Sequence, residues 1–183
     1  AADAQTGLLG ETAAIDSGGI AAYIANAEQQ LREGHVLAPP NGNAWDSLDA
    51  AWRVDATHPQ TQVLTARLFD ALADLGERGL RDGDLAAAHM AFERARELDA
   101  RRGGDGSAIA LLRKRLDAAL AARMDALVAK PDRASASALL AGTRWLGLDP
   151  ARNQALQARV DGMAKTASTT VIAAQAATPP ASA

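Results

Sequence analysis

Hydrophobic residues recur along most of this chain at spacings of three and four, which is the period of an α-helix. Seven segments show this period, and the first residues of their apolar stripes are Ile20, Trp45, Leu64, Leu85, Ile109, Ala136 and Leu156. Turn-forming Gly and Pro residues separate neighbouring segments, and no segment has the period of a strand. The pattern therefore predicts an all-α fold of about seven helices, arranged as antiparallel hairpins in a repeat-like stack or a closed bundle.

Short polar residues mark the starts of several predicted helices. Asn43, Asp84 and Asp132 each stand close before a periodic segment. Side chains of this kind accept hydrogen bonds from N–H groups of the first helical turn, which have no partner inside the helix. We therefore predict these residues as the N-caps of the second, fourth and sixth helices, and the apolar pattern extends the sixth helix to Leu146.

The periodic segments define the predicted domain organisation. Residues 1–18 have weak periodicity and are predicted to form a partly ordered N-terminal arm. Residues 166–183 are rich in Ala, Thr and Pro, a composition typical of a tail or linker. One helical, repeat-like domain is therefore predicted over residues 19–165.

Two parts of the chain repeat with an offset of 48 residues. The matched pairs are Leu68 with Leu116, Leu72 with Leu120, Asp84 with Asp132, Ala88 with Ala136, and Phe92 with Leu140. Each copy predicts a long helix, an Asp-capped turn and a second helix that carries small residues where the two helices cross. Small residues at a crossing let two helix backbones approach closely.

Residues 72–99 resemble a tetratricopeptide repeat. The residues that carry the family's pattern, at the family's spacings, are Leu75-Gly76, Gly83-Asp84, Ala88, Phe92 and Ala95. Gly79 stands where the family prefers Tyr, and Ala100 stands where it prefers Pro. The order of turns and helices is also similar to that in helical extracytoplasmic regions of proteobacterial envelope proteins, such as TonB-type energy transducers. These resemblances imply a stack of helical hairpins that binds other proteins.

Composition narrows the classes of function. The 183 residues include no Cys, which excludes disulfides, thiolate metal ligands and cysteine nucleophiles. The net charge is −3, from 19 basic and 22 acidic residues, and only 3% of residues are aromatic. Neither property suits a nucleic-acid binder, which relies on positive charge and on stacking side chains. No apolar run reaches the roughly 18 residues of a membrane-spanning helix, so none is predicted.

No catalytic or metal-binding motif is recognisable in the sequence. His35, His58 and His89 stand singly, without the paired ligands of a motif such as His-Glu-x-x-His, and His89 is expected to be a half-buried packing residue. The stretch 103–106 is rich in Gly but lacks the Lys and Ser/Thr of a phosphate-binding loop, so it is predicted to be a flexible connector. The chain is therefore predicted to be no enzyme and to bind no cofactor or metal.

Charged residues away from the Leu stripes supply the candidate binding site. They lie on the predicted third and fifth helices and are Asp70, Glu77, Arg81 and Asp125. The resemblance to tetratricopeptide repeats implies that the first helix of each hairpin lines a concave surface, where these residues would contact a partner segment. The basic residues Arg101, Arg102 and 113–115 are predicted to form a solvated face.

The sequence therefore predicts a protein–protein interaction module, a scaffold or adaptor in a bacterial envelope-associated complex. A periplasmic or envelope location follows from the same resemblance, and a cytoplasmic location stays open. The alternative is a structural spacer or a ligand-sensing helical domain of a larger envelope protein. A cavity lined by Trp45, Trp52 or Trp145 would favour the binding of a small ligand.

Overall fold

Helices account for the regular structure of the described residues. The computed structural model describes residues 19–130 and 132–176, with side chains described up to residue 163. The described part of the first helix, α1, covers residues 19–33. The following helices are α2 (Ala44–Val54), α3 (Pro59–Asp82), α4 (Leu85–Arg101), α5 (Ser107–Ala129), α6 (Arg133–Gly142) and α7 (Pro150–Ala176). The described residues contain no strand, so the predicted all-α fold of about seven helices is confirmed.

The predicted N-terminal arm is not described by the structure, whereas part of the predicted C-terminal tail is helical. The predicted arm, residues 1–18, lies outside the described residues. The predicted tail begins inside α7, which continues to Ala176. Residues 166–176 contain no Gly or Pro and include several Ala, the residue with the highest helix propensity, so this stretch has no reason to end the helix. Residues 177–183 lie outside the described part of the chain.

The three predicted N-caps are confirmed. Asn43 Oδ1 accepts a hydrogen bond from the Asp46 nitrogen at 3.0 Å. Asp84 Oδ1 accepts from the Ala87 nitrogen at 3.0 Å, and Asp132 Oδ1 accepts from the Ser135 nitrogen at 3.0 Å. Each carboxylate or amide oxygen thus satisfies a nitrogen that the helix itself leaves without an acceptor.

The sixth helix is shorter than predicted. It ends at Gly142, and Thr143 forms its C-cap. The Thr143 hydroxyl donates to the Leu139 carbonyl oxygen at 2.9 Å, one of the carbonyls that the helix end leaves free. A short 3₁₀ helix follows at Arg144–Leu146, so Leu146 is buried from this turn and not from α6.

The contacts within the chain define two compact units, and the division falls within α3, α4 and α5. The described residues of unit 1 are 19–75 and 90–109. The described residues of unit 2 are 76–89, 110–130 and 132–176.

Unit 1 has a core of aliphatic and aromatic side chains from α1 to α4. Its large buried residues include Ile20, Ile24, Trp45, Leu48, Leu64, Leu68, Leu72, Phe92 and Leu98. A polar link accompanies this packing, because Trp52 Nε1 donates to Thr65 Oγ1 at 3.0 Å. The Thr65 hydroxyl in turn donates to the Thr61 carbonyl oxygen at 2.8 Å, so α2 is fastened to the first turns of α3.

Unit 2 has its own core, and within this unit the end of α3 is in close contact with the start of α4. Its large buried residues include Leu80, Leu112, Leu116, Leu120, Met124, Leu139, Leu146, Leu156 and Val160. A Cβ added to Gly79 would lie 2.8 Å from the Asp84 carbonyl oxygen and 2.9 Å from the Ala88 nitrogen. The two backbones therefore touch, and a Tyr could not occupy position 79 without moving them.

Candidate functional site

Glu77 and Arg81, two of the predicted binding residues, lie together in unit 2. Glu77 Oε1 accepts a hydrogen bond from Arg115 Nε of α5 at 2.6 Å, and Glu77 Oε2 lies 3.6 Å from Arg81 Nη1. The Arg81 side chain is 53% exposed, whereas the Glu77 side chain is 20% exposed. One carboxylate thus serves two guanidinium groups, and Arg81 is the outer member of this cluster.

The other two predicted residues are not part of that cluster. Asp125 accepts a hydrogen bond from Arg159 Nη2 of α7, also within unit 2. It lies ten residues beyond Arg115 on α5, a separation of about 15 Å along the helix. Asp70 belongs to unit 1, is exposed on α3, and forms no hydrogen bond or ion pair with another described residue.

Ion pairs hold several side chains of the predicted solvated basic face. Arg101 donates to Asp49 Oδ1 at 2.5 Å and to Glu97 Oε1 at 2.6 Å, and these carboxylates raise the pKa of its guanidinium. Arg102 donates through Nε and Nη2 to Asp99 Oδ1 at 2.9 and 2.6 Å. These pairs leave little free positive charge on the part of this face that lies in unit 1.

The same loop region is more constrained than a flexible connector. The Gly104 nitrogen donates to the Asp99 carbonyl oxygen at 2.8 Å, and a Cβ at Gly104 would overlap the buried Asp99 carboxylate. Asp105 then accepts from the Ser107 nitrogen at 2.9 Å at the start of α5. Hydrogen bonding from Ser107 lowers the pKa of Asp105. Glycine is needed here for a close approach to Asp99.

The tryptophans have packing roles. Trp45 is buried in unit 1, where the Arg94 and Arg101 guanidinium carbons lie 4.6 and 5.4 Å from its ring centroid. Such contacts place positive charge against the electron-rich ring face. In unit 2 the half-buried Trp145 stacks on His89, with ring centroids 4.9 Å apart. His89 was expected to be half-buried, but the structure leaves it exposed with one ring face on Trp145.

A depression of about 230 Å³ in unit 2 is a candidate site, because apolar side chains and opposite charges both line it. It lies where the α3–α4 turn meets α5 and α6. Its apolar lining comes from Leu85, Leu127, Ala138 and Leu139. Its polar lining comes from Asp82, Arg123 and Ser135. None of the tryptophans lines this depression, so it is not a cavity lined by Trp45, Trp52 or Trp145.

Backbone contacts fix the walls of this depression. Gly83 makes the α3–α4 turn with φ +86°, a conformation that L side chains rarely adopt. Gly142 at the end of α6 packs so closely on Leu85 that an added Cβ would overlap Leu85 Cδ1. Hydrogen bonding from Ser135 lowers the pKa of Asp132 at the start of α6, and the positive charge of Arg123 lowers that pKa further.

Two opposite charges of this depression are not paired with each other. Arg123 is half-buried on α5 and Asp82 is exposed at the end of α3. Neither forms an ion pair with any residue in the described part of the chain. The sequence does not single out either residue as a site, because Asp82 lies at a turn and Arg123 lies within a helix without a charged motif around it. The offset of 48 residues matches Gly79 with the much larger Leu127. This difference in size is the sequence signal that could have drawn attention to the region of the depression.

A second depression, of about 540 Å³, lies along α4 in unit 1. Its charged residues neutralise one another, with Arg94 and Glu97 2.7 Å apart and Arg96 and Glu93 3.1 Å apart. Met90 at its edge is 54% exposed. This surface offers a ligand no unpaired charge among those residues and is a weaker candidate.

The described residues contain no group of three His, Cys, Asp or Glu side chains that could hold a metal ion. No helix in the described ranges is both long and apolar enough to cross a membrane. Comparison with protein-family models, curated proteins and solved structures finds no match. The described residues thus define an all-α fold, with a small depression of mixed polarity in unit 2.

Proposed function

We propose that this protein is a protein–protein interaction module, a scaffold or adaptor in a bacterial envelope-associated complex. The observation that carries the proposal is the agreement between two segments 48 residues apart. Asp84 and Asp132 cap their helices through the same atoms at the same 3.0 Å, and Ala88 and Ala136 are both fully buried. Repeated helical units of this kind commonly build extended recognition surfaces.

The Glu77, Arg81 and Arg115 cluster is the proposed contact for a partner's carboxylate. Arg81 is the exposed member of the cluster. Its ion pair with Glu77 is expected to contribute little to the free energy of folding, because ion pairs at the surface are weak. Arg115 stays bound to Glu77 through a shorter hydrogen bond of 2.6 Å. Arg81 can therefore turn to a partner without leaving the half-buried Glu77 carboxylate unpaired.

A charge reversal at Arg81 tests this surface. The protein is crosslinked in extracts of its own cells, a captured partner is identified and purified, and its Kd is measured. We expect Arg81→Glu to weaken that Kd by about tenfold or more, because attraction to a carboxylate becomes repulsion. Arg78→Glu is the matched control, since Arg78 is exposed on the same helix and forms no ion pair with a described residue.

Salt dependence separates this contact from apolar docking. Exposed charges are screened over about 10 Å at 0.1 M salt, so the Kd of the parent protein should rise as salt is added. A partner that Arg81→Glu binds as tightly as the parent does would place the contact elsewhere. A failure to capture any specific partner would favour the spacer alternative.

The envelope location needs a separate test. Protease added to intact cells, to cells with a permeabilised outer membrane and to lysed cells reports the compartment of the native protein. Digestion that begins on outer-membrane permeabilisation would support the periplasmic assignment. Protection until lysis would support the cytoplasmic alternative.

The second candidate function is a ligand-sensing helical domain of a larger envelope protein. The depression between the α3–α4 turn, α5 and α6 favours it, because a pocket with fixed walls and unpaired charges suits a small polar ligand. A shift in melting temperature on addition of small metabolites would test this role.

A further inference from the structure

We propose that the depression in unit 2 binds a small apolar α-amino acid as its zwitterion. The proposal gives a ligand class to the ligand-sensing candidate and rests on that candidate. It is independent of the protein contact at Arg81. The Arg123 guanidinium receives the carboxylate of the ligand, Asp82 receives its ammonium group, and the leucine side chains contact its apolar part.

Size selects a ligand of this class. Pockets for drug-sized ligands measure roughly 300–1,000 Å³, so a depression of about 230 Å³ is too small for most of them. A ligand of about the size of one amino acid is therefore favoured over a drug-sized one.

Charge selects a zwitterion over an anion or a cation. Arg123 and Asp82 come from different helices, line the same depression, and form no ion pair with each other. A ligand with one charge would satisfy one of these groups and be repelled by the other. A ligand whose two opposite charges sit on one carbon can satisfy both, through charge-assisted hydrogen bonds.

Other acidic groups near Arg123 do not remove its capacity to bind a carboxylate. Asp132 is close enough for Arg123 to lower its pKa, but the two form no ion pair. Asp132 Oδ1 already accepts a hydrogen bond from the Ser135 nitrogen. A guanidinium carries five N–H donors, so Arg123 keeps donors for a ligand.

The apolar side of the depression is fixed before a ligand arrives. Leu85 is held against Gly142, and Leu127 and Leu139 belong to the buried core of unit 2. A wall that does not rearrange costs a ligand little ordering energy. Branched apolar amino acids are expected to bind better than glycine or serine, because they cover more of the leucine surface.

Calorimetric titration of the intact chain tests the inference with three probes. L-Leucine carries both charges, 4-methylpentanoate keeps only the carboxylate, and 3-methylbutylamine keeps only the ammonium group. We expect saturable binding of L-leucine and at least about tenfold weaker binding of each single-charge analogue. Equal binding of all three would overturn the zwitterion assignment, and no binding of L-leucine at tens of millimolar would overturn the site.

Variants locate the binding. Arg123→Gln and Asp82→Asn should each weaken L-leucine binding by about tenfold or more, whereas Arg78→Gln, exposed elsewhere on α3, should not change it. Ala138→Leu leaves both charges in place but fills the depression, so it should abolish binding while the circular dichroism spectrum stays unchanged. Binding that survives Ala138→Leu would place the ligand elsewhere. Failure of these tests would leave the partner measurement with Arg81→Glu unaffected.

Discussion

The α3–α4 turn and the α5–α6 turn of unit 2 share their capping chemistry but differ in how closely their helices approach. Asp84 and Asp132 cap the second helix of each pair with hydrogen bonds of the same length. At the first turn, Gly79 lets the α3 backbone touch Ala88. At the second, the matched position is Leu127, which is 8% exposed and lines the depression of about 230 Å³.

The first of these turns shows how a glycine lets two helices come into backbone contact. A Cβ at Gly79 cannot fit, so the first helix pair is in backbone contact. At the matched position Leu127 carries four side-chain carbons and lines the depression. The capping aspartates fix where α4 and α6 begin, and Gly79 allows the close approach of α3 and α4.

The largest effect is expected at a repeat pair that differs in burial. Phe92 is 1% exposed in unit 1, and its match Leu140 is only half-buried in unit 2. Phe92→Ala should lower the free energy of unfolding by about 3–5 kcal/mol, because a large cavity is left in the core. Leu140→Ala should lower it by about 1–2 kcal/mol, because less apolar surface is lost. Urea denaturation measures both.

Equal losses at the two positions would contradict the comparison, since they would mean that the two copies are equally packed there. The slope of unfolding free energy against urea serves as the control. It should stay unchanged if only the native state has lost contacts.

A smaller change in the free energy of unfolding is expected from Gly79→Ala near the α3–α4 turn, and its sign is opposite to the usual effect of this substitution. Replacing Gly by Ala inside a helix normally stabilises it by roughly 0.5–1 kcal/mol. Gly79→Ala should instead lower the free energy of unfolding by about 1–3 kcal/mol, because the new methyl group would overlap Asp84 and Ala88. Thermal or urea denaturation gives the sign directly.

Gly162 in α7 is the matched control for that substitution. A Cβ added there would meet nothing within 4 Å. Gly162→Ala should therefore raise the free energy of unfolding by the usual amount for a helix interior. A stabilised Gly79→Ala variant would mean that α3 and α4 are not in backbone contact, and the comparison of the two turns would fail.

Local features of the fold could be predicted from the sequence, whereas the candidate pocket could not. Asn43, Asp84 and Asp132 cap residues three positions ahead, so their role depends only on neighbouring sequence. The depression is lined by Asp82 and Arg123, which are far apart in the chain and are brought to the same place by tertiary packing. The periodic pattern of the sequence carries no information about that packing.

The end of α6 and the ion pairs of α3 also depend on tertiary contacts that the sequence pattern does not reveal. The apolar pattern predicts that α6 extends to Leu146, but the helix ends at Gly142. Gly142 packs on Leu85, and the Thr143 hydroxyl donates to the Leu139 carbonyl oxygen. Glu77 and Arg81 were correctly placed on one helix. Sequence alone did not show that Arg115 would bind Glu77, because that pair joins two helices.

The smallest expected effect is the acid sensitivity of the cap at the second turn. Hydrogen bonding from Ser135 and the charge of Arg123 lower the pKa of Asp132 below the ordinary value of about 3.9. A carboxyl whose pKa is lower in the folded state stabilises that state above its ordinary pKa. This stabilisation is lost as the pH falls through the folded-state pKa, because the proton removes the charge.

An NMR titration of the side-chain carboxyl carbons should therefore show Asp132 titrating below the ordinary value of an aspartate carboxyl. Asp132→Asn keeps an oxygen that can cap the helix but removes the charge. Its melting temperature should lie slightly below that of the parent at pH 6, and the difference should shrink towards pH 2. If Asp132 titrates at or above its ordinary pKa, the hydrogen bond from Ser135 does not favour the charged form, and the charge of the α6 cap adds nothing to the stability of the folded state.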